Sequence, residues 1–473
     1  MKKYLLGIFL GFLLLGAFIP TIENMAAPQA THTLVILHPH SSEFASHVID
    51  AFKTWYLADT GNSVEVTTSA KYSGDCYADV VAWNGTNPEA DVWWGGGEFY
   101  FEEARRANLL EPYEVAEDGN ISAYLGGWHL KDDSDTIPAW YAAAMSGFGI
   151  IYNTAYLTAE GLDVPTTWAS LADPQYFGHI AMTDPDLSGS TVAIVKQLLQ
   201  FMADQHSGSE ITMAANITTA WQLWVKISGN IGTFSTSSSK VPADVSEGNA
   251  GIGLCIDYYA LDLMVTDTDI GFTYGGATTV SPDPAGIIKG ATNLAPAQKF
   301  MDFLTGTAGQ TLVGDYRTPA NFKAATASHI PKAFTATGAP NTAAFPIISP
   351  FSPSIDGAIH SRAETLFHYW IVENHDKLKA AWEKIISLNA GDKKDEAMTA
   401  LVKLPSDFNG TMAGLVALQY KESTVTGNWT THGATQFDEA LEIAGKAATT
   451  PGFELIIFFA SLVFLIPLLR KKE

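Results

Sequence analysis

Thr33-Leu34-Val35-Ile36-Leu37 is an apolar, β-branched run that ends at His38-Pro39-His40, and the pattern on its carboxyl side decides the fold. Phe44, Val48, Phe52 and Trp55 recur at intervals of three to four, the spacing of one helix face, with Ser41 or Ser42 placed to cap its start. Val64-Glu65-Val66 then reads as a second strand. Strand, helix and strand in that order form a βαβ unit, which predicts an α/β lobe built on parallel strands.

Working outward, Asp91-Val92-Trp93-Trp94 is a third strand that gives way to Gly95-Gly96-Gly97 and a helix over 98–107. Glycines there let the backbone turn sharply or approach a ligand, and the helix start behind them offers unpaired N–H groups. Residues 138–153 read as strand. Ile180-Ala181-Met182 is a strand leading through Asp184-Pro185-Asp186-Leu187-Ser188-Gly189-Ser190 into an apolar helix over 191–202. Residues 252–264 give another strand and helix, 272–290 strands and Pro-rich turns, and 296–304 and 309–313 helices. Residues 361–387 carry Leu366, Tyr369, Trp370, Leu378, Trp382 and Ile385 at amphipathic spacing. No internal repeat is visible.

The order of these motifs resembles the extracellular solute-binding proteins of ABC importers, of the type 2 periplasmic-binding class, in its ferric-iron, small-anion and polyamine branch. The residues that carry the likeness are Ala90 through Gly97 as quoted, Asn108-Leu109-Leu110-Glu111-Pro112-Tyr113, Gly149-Ile150-Ile151-Tyr152-Asn153, Pro165-Thr166-Thr167-Trp168, Gly178-His179-Ile180-Ala181-Met182, Gly251-Ile252-Gly253-Leu254-Cys255-Ile256-Asp257-Tyr258-Tyr259, and Ser281-Pro282-Asp283-Pro284-Ala285. The resemblance implies two α/β lobes joined by crossover strands, with ligand between them. The first lobe is expected to combine 33–137 with 276–345, and the second to span 138–275 with the crossovers. C-terminal helices over 346–390 would pack on the lobes, and 391–450 would form accessory helices and a stalk. A membrane permease is the implied partner and a small solute the cargo.

Ligands in open α/β sheets bind beyond the carboxyl ends of the strands. That rule and the resemblance select the same loops: His40, the Tyr72-Ser73-Gly74-Asp75 turn, Trp94-Gly95-Gly96, Ser188-Gly189-Ser190, and Asp257-Tyr258-Tyr259. Ser188-Gly189-Ser190 at a helix start suits an anion, though Ser caps helices routinely. The resemblance gives Tyr258, Tyr259 and His40 as metal ligands if the solute is ferric iron, with a companion anion at the Ser188 loop; phenolate is a hard oxygen donor for such an ion. No other cofactor is implied.

The chain carries 27 Lys and Arg against 50 Asp and Glu, a net charge of −23 that argues against a nucleic-acid partner. No His-Glu-x-x-His, Gly-x-Ser-x-Gly or phosphate loop ending in Lys-Ser/Thr is present. A surface hydrolase using the same cleft, or a structural or adhesive surface protein, are the alternatives left open. Residues 1–27 have the charged, apolar and small-residue order of a signal peptide. Residues 451–473 place an apolar run before Arg470-Lys471-Lys472, which reads as a transmembrane segment and resembles an archaeal Pro-Gly-Phe surface-sorting tail. These ends predict a secreted protein anchored to the membrane through its C-terminus. Five Asn-x-Ser/Thr sites, at Asn84, Asn120, Asn216, Asn409 and Asn428, fit an outside location and are candidate glycosylation sites. Cys76 and Cys255 flank cleft loops, where a disulfide would restrain opening, so free thiols are expected.

Overall fold

The computed structural model describes residues 30–446 except 126–127, 135, 204–210, 280, 317, 320–351 and 421–422. Strands β1 (Thr31–His38), β2 (Ser63–Ala70) and β3 (Val92–Trp94) run parallel, with Leu34 opposite Val66 and Ile36 opposite Val92. Strand β4 (Leu110–Glu111) follows, then a separate pair, β5 (Tyr124–Leu125) with β6 (Trp128–His129), and then β7 (Tyr141–Ser146). Residue Gly147 alone separates β7 from β8 (Phe148–Asn153), which opens a second sheet with β9 (Ile180–Thr183), β10 (Ile231–Ser235), β11 (Ile252–Ile256) and β12 (Ile270–Thr273). The chain then returns to the first sheet with β13 (Ser281–Ile288) and β14 (Thr318–Pro319). The seven-stranded first sheet has the order β14-β7-β13-β3-β1-β2 with β4 also on β13, and the five-stranded second sheet the order β10-β9-β11-β8-β12. The run 138–153, expected as one strand, is therefore two strands in two sheets.

Helices α1 (Ser42–Thr60), α2 (Ser73–Trp83) and α3 (Glu98–Arg106) belong to the first lobe. Ser41 caps α1 through the Phe44 N–H, and Phe44, Val48 and Phe52 are buried, as the spacing predicts. The second lobe carries α4 (Thr154–Glu160), α5 (Gly189–Phe201), α6 (Thr218–Asn230), α7 (Lys240–Ser246) and α8 (Asp257–Thr266). Helices α9 (Leu294–Thr305) and α10 (Thr307–Tyr316) pack back on the first.

The remaining helices are α11 (Pro353–Phe367), α12 (His375–Ile386), α13 (Asp392–Leu401), α14 (Met412–Ala417) and α15 (Ser423–Gly445), with a π-helical turn over His368–Val372 joining the first two. Their buried faces share one core with the second sheet, where Trp221, Trp224, Trp370 and Trp429 are fully enclosed. Each such ring removes on the order of 200 Å² from water. Several indole tips in this core are matched: Trp370 Nε1 donates to Gln436, Trp429 Nε1 to Asp407 and Trp382 Nε1 to Asn230. Within the stretch expected to form accessory helices and a stalk, α13 to α15 are packed into the core of the second lobe.

The C-terminal transmembrane segment expected from the sequence is not supported. Among the described residues no helix is long and apolar enough to cross a membrane, and residues 451–473, with the sorting-tail motif, lie outside the described residues. The expected contact with the membrane through the C-terminus, and the membrane-anchored location, fall with it. The signal-peptide residues also lie outside. Cys76 and Cys255 are buried free thiols, and burial pushes the Cys76 thiol up to about 12.

Two contacts show how the C-terminal helices are held. Residue Gly229 of α6 lies under Trp382 of α12, and a Cβ there would come within 2.6 Å of the indole. The crossing therefore needs a residue without a side chain. Gly229→Ala should destabilise the protein by about 1–3 kcal/mol through overpacking, read as a lower melting temperature; an unchanged melt would mean the helices separate without cost. The second contact is His368 Nδ1 on Asp184 Oδ2 at 2.9 Å, which ties the π-helical turn to the loop before α5. The hydrogen bond to Asp184 raises the His368 pKa above its ordinary 6.5. A raised histidine stabilises fully below its unfolded pKa and loses that contribution as pH rises through the folded value. The melting-temperature advantage of wild type over His368→Gln should be greatest below pH ~6.5 and vanish at higher pH. A pH-independent difference would refute the ion pair.

Candidate functional site

The carboxyl ends of the parallel strands of both sheets face one another across the gap between the lobes. Loops leaving β1, β2 and β3 supply Pro39, His40, Tyr72, Ser73, Gly96 and Gly97 from the first lobe. Loops after β9, β10 and β11 supply Ser188, Gly189, Ser190, Ser238, Tyr258 and Tyr259 from the second. Between them lies a chamber of about 120 Å³. It opens into a wider mouth of about 700 Å³ bounded by Lys71, Asp75, Asp79 and residues 237–239, with His40, Tyr72 and Tyr259 at the border.

Four helices begin at the chamber. Ser73 opens α2, Glu98 opens α3, Gly189 and Ser190 open α5, and Tyr258 and Tyr259 lie in the first turn of α8. Each start carries partial positive charge from unpaired N–H groups. The Ser188 hydroxyl caps α5 by accepting the Thr191 N–H at 3.2 Å, while no side chain caps α2, α3 or α8. The hydroxyls of Ser73, Ser146, Ser190, Ser238, Thr279 and Ser281 belong to lining residues.

The triple glycine works by close approach. Gly95, Gly96 and Gly97 all have positive φ, 92°, 121° and 91°, a region that side chains disfavour. A Cβ on Gly95 would strike the His40 ring at 2.4 Å. Gly96 N donates to Asp283 Oδ1 at 3.0 Å, and Asp283 sits where the register of β13 slips before Pro284. That slip accommodates two prolines in a strand and turns the Asp283 carboxylate to the chamber wall.

The sequence-derived site residues divide into two groups. His40, Tyr72, Ser73, Gly96, Ser188, Gly189, Ser190, Tyr258 and Tyr259 line the chamber, and Asp75 lines the mouth. Trp94, Gly74, Gly95 and Asp257 do not line either. Trp94 is core: its ring meets the His40 ring edge-on at 4.2 Å and packs on Phe44 and Phe300. Asp257 is buried and accepts from Gly147 N at 2.7 Å and from the Tyr274 hydroxyl at 3.0 Å. It joins the two strand crossovers instead of facing solute.

The lining residues outside the loops that the sequence singles out include Glu98, Lys196, Asp356 and His360. Lys196 and Asp356 form a buried ion pair between α5 and α11, with Gln200 Nε2 donating to the same carboxylate at 3.1 Å. Lys196 had a legible signal, being the one charge in an apolar helix. Among the described residues no group of three or more His, Cys, Asp or Glu side chains is gathered to hold a metal ion.

A family of bacterial extracellular solute-binding proteins matches this chain over residues 87–338. The phosphoglycerate transport regulatory protein PgtC of Salmonella typhimurium is 30% identical over 177 residues, which are 37% of this chain and 41% of PgtC. The chain thus spans less than half the length of that relative. An uncharacterized protein of Haemophilus influenzae is 26% identical over 264 residues, 53% of this chain and 69% of the other. Among solved structures, the periplasmic binding protein AfuA of Actinobacillus pleuropneumoniae, with exogenous fructose-6-phosphate bound, covers 72% of this chain and 98% of its own at 19% identity and a TM-score of 0.57. The periplasmic binding protein P5PA covers 69% and 94% at 20% identity and a TM-score of 0.54. These structures share the two-lobed fold. That family match takes in over half of the chain: the chain belongs to the family of bacterial extracellular solute-binding proteins.

Proposed function

We propose that the chamber captures a small phosphorylated anion and that the chain delivers it to an ABC-type importer permease. The observation that carries this is the convergence of four helix starts on one enclosed space, three of them without a side-chain cap. Backbone N–H groups at helix starts bind anions irrespective of the protein's overall charge, because the field they make is local. The serine hydroxyls add donors that orient to suit the oxygens of a tetrahedral group. The name of the 30%-identical relative, a phosphoglycerate transport regulator, points the same way.

A second reading, ferric ion with a companion anion, is favoured by one observation. Tyr258 and Tyr259 lie side by side in the chamber with ring centroids 4.5 Å apart. His40 is poorly placed to join them, since its ring is fixed between Trp94 and Phe44 with Asp283 at 3.9 Å from Nδ1.

Thermal shift with inorganic phosphate, a phosphomonoester, sulfate, spermidine and ferric citrate separates these. A phosphorylated anion should raise the melting temperature in step with its concentration, by the equivalent of about 2.7 kcal/mol at a hundred times its Kd. Ser190→Asp, which sets a carboxylate at the α5 start, should weaken that binding at least about tenfold, ~1.4 kcal/mol. Stabilisation by ferric ion alone, with a tyrosinate colour lost in Tyr258→Phe with Tyr259→Phe, would overturn the anion reading.

A further inference from the structure

We propose that Glu98 and His360 form a second subsite in the chamber, one that reads the uncharged hydroxyls of a phosphorylated polyol and thereby sets which anions are taken. This rests on the anion reading above and adds the part of the solute that lies beyond its phosphate. His360 belongs to α11, is 5% exposed and lines the chamber. Its ring stacks on Phe99 of α3 at 4.1 Å and 4°, a contact across the two lobes. Among the described residues neither ring nitrogen has a hydrogen-bond partner. Glu364 Oε2 is 3.7 Å from Nε2, too far for a hydrogen bond. A neutral imidazole offers one donor and one acceptor, and buried polar groups are ordinarily satisfied. Two unmatched nitrogens on a residue that lines the chamber therefore point to a partner supplied by the solute.

Glu98 faces the same space from the first turn of α3, and no hydrogen bond or ion pair engages its carboxyl among the described residues. The charged groups around these two residues are Glu102 and Arg106 on α3, Lys196 on α5, and Asp356 and Glu364 on α11. Lys196, the cation nearest the chamber, is already engaged by Asp356. Burial, with Glu102 and Asp356 adding to it, raises Glu98 to about 7, while burial and Lys196 hold His360 well below its ordinary value. Near neutral pH this end of the chamber thus offers an uncharged imidazole and a carboxyl group shifted towards its protonated form. An ammonium group would need a fixed negative charge there, and a second phosphate a free cation. A hydroxyl both donates and accepts, and so fits both groups. The chamber has room for on the order of ten water-sized groups, enough for a phosphate and a short carbon chain.

Calorimetric titration of the full chain with glycerol 3-phosphate and with propyl phosphate, which lacks the two hydroxyls, tests this. Wild type should prefer glycerol 3-phosphate by about tenfold or more, the scale of one or two buried hydrogen bonds. His360→Phe, which keeps the stack and removes the nitrogens, and Glu98→Met should each bring the ratio towards one. Equal binding of the two esters to wild type, or an unchanged ratio in both folded variants, overturns the subsite while leaving an anion receptor. Failure of both esters and of inorganic phosphate to bind overturns the anion reading itself, and the subsite with it. If neither variant folds, the wild-type ratio decides.

Discussion

The Asp257 carboxylate ties together two segments that the chain places far apart. Gly147, the single residue between the two sheets, gives it a backbone N–H, and Tyr274, just past the last strand of the second sheet, gives it a hydroxyl. A buried carboxylate without partners is costly, and these two donors offset that cost by fixing both crossovers to one point. Burial in turn raises the Tyr274 phenol, so it stays protonated and remains a donor. Beside this clamp, Thr278 accepts the Phe148 N–H and donates back to the Phe148 carbonyl. Any opening of the lobes must pivot around this pair of fixed strands. Because Asp257 also begins α8, the clamp holds Tyr258 and Tyr259 at a set distance from the pivot.

Around that pivot the chamber is assembled by a single geometric rule applied twice. Parallel strands end at the same edge of a sheet, and the helices that succeed them begin there. With two such edges facing each other, helix starts from both lobes meet whatever the intervening sequence. This explains how a chain with a net charge of −23 can still gather helix starts, with their partial positive charge, around one chamber. Helix-start dipoles act at short range, whereas exposed surface charges are screened by solvent and salt.

The same rule separates the legible part of the sequence from the rest. The βαβ opening, the glycine triplet and the Ser188 loop are local patterns, and each can be read because its geometry is set within about ten residues. Trp94 and Asp257 sit in the right loops for wall residues, yet neither is one. Which neighbour in a loop faces the solute depends on the backbone turn there: Gly95 to Gly97 rotate the chain so that Trp94 points into the core. Glu98 has the pattern of a surface helix residue for the same reason. Lys196, Asp356 and His360 are brought together only when α11 packs against α5, with some 160 residues between the ion-pair partners. No local pattern records such a contact. The Thr- and Gly-rich composition after residue 389 hides helices whose burial depends on Trp370 and Trp382. The apolar terminal run is the strongest pattern of its kind, yet hydropathy alone does not establish a membrane span.

The two ends of the chamber differ in how they can change during evolution. The helix-start end is made of backbone N–H groups, which most substitutions leave in place as long as the turns survive. The other contacts are side chains, Glu98 at the α3 start and His360 on the C-terminal α11, and α11 shares one core with α12 to α15 and the second lobe. A receptor built this way can keep its grip on an anionic group while exchanging what it reads beyond it. The C-terminal helices then contribute to selectivity as well as to the core, since loosening the α6–α12 crossing at Gly229 would displace α11 and the imidazole it carries.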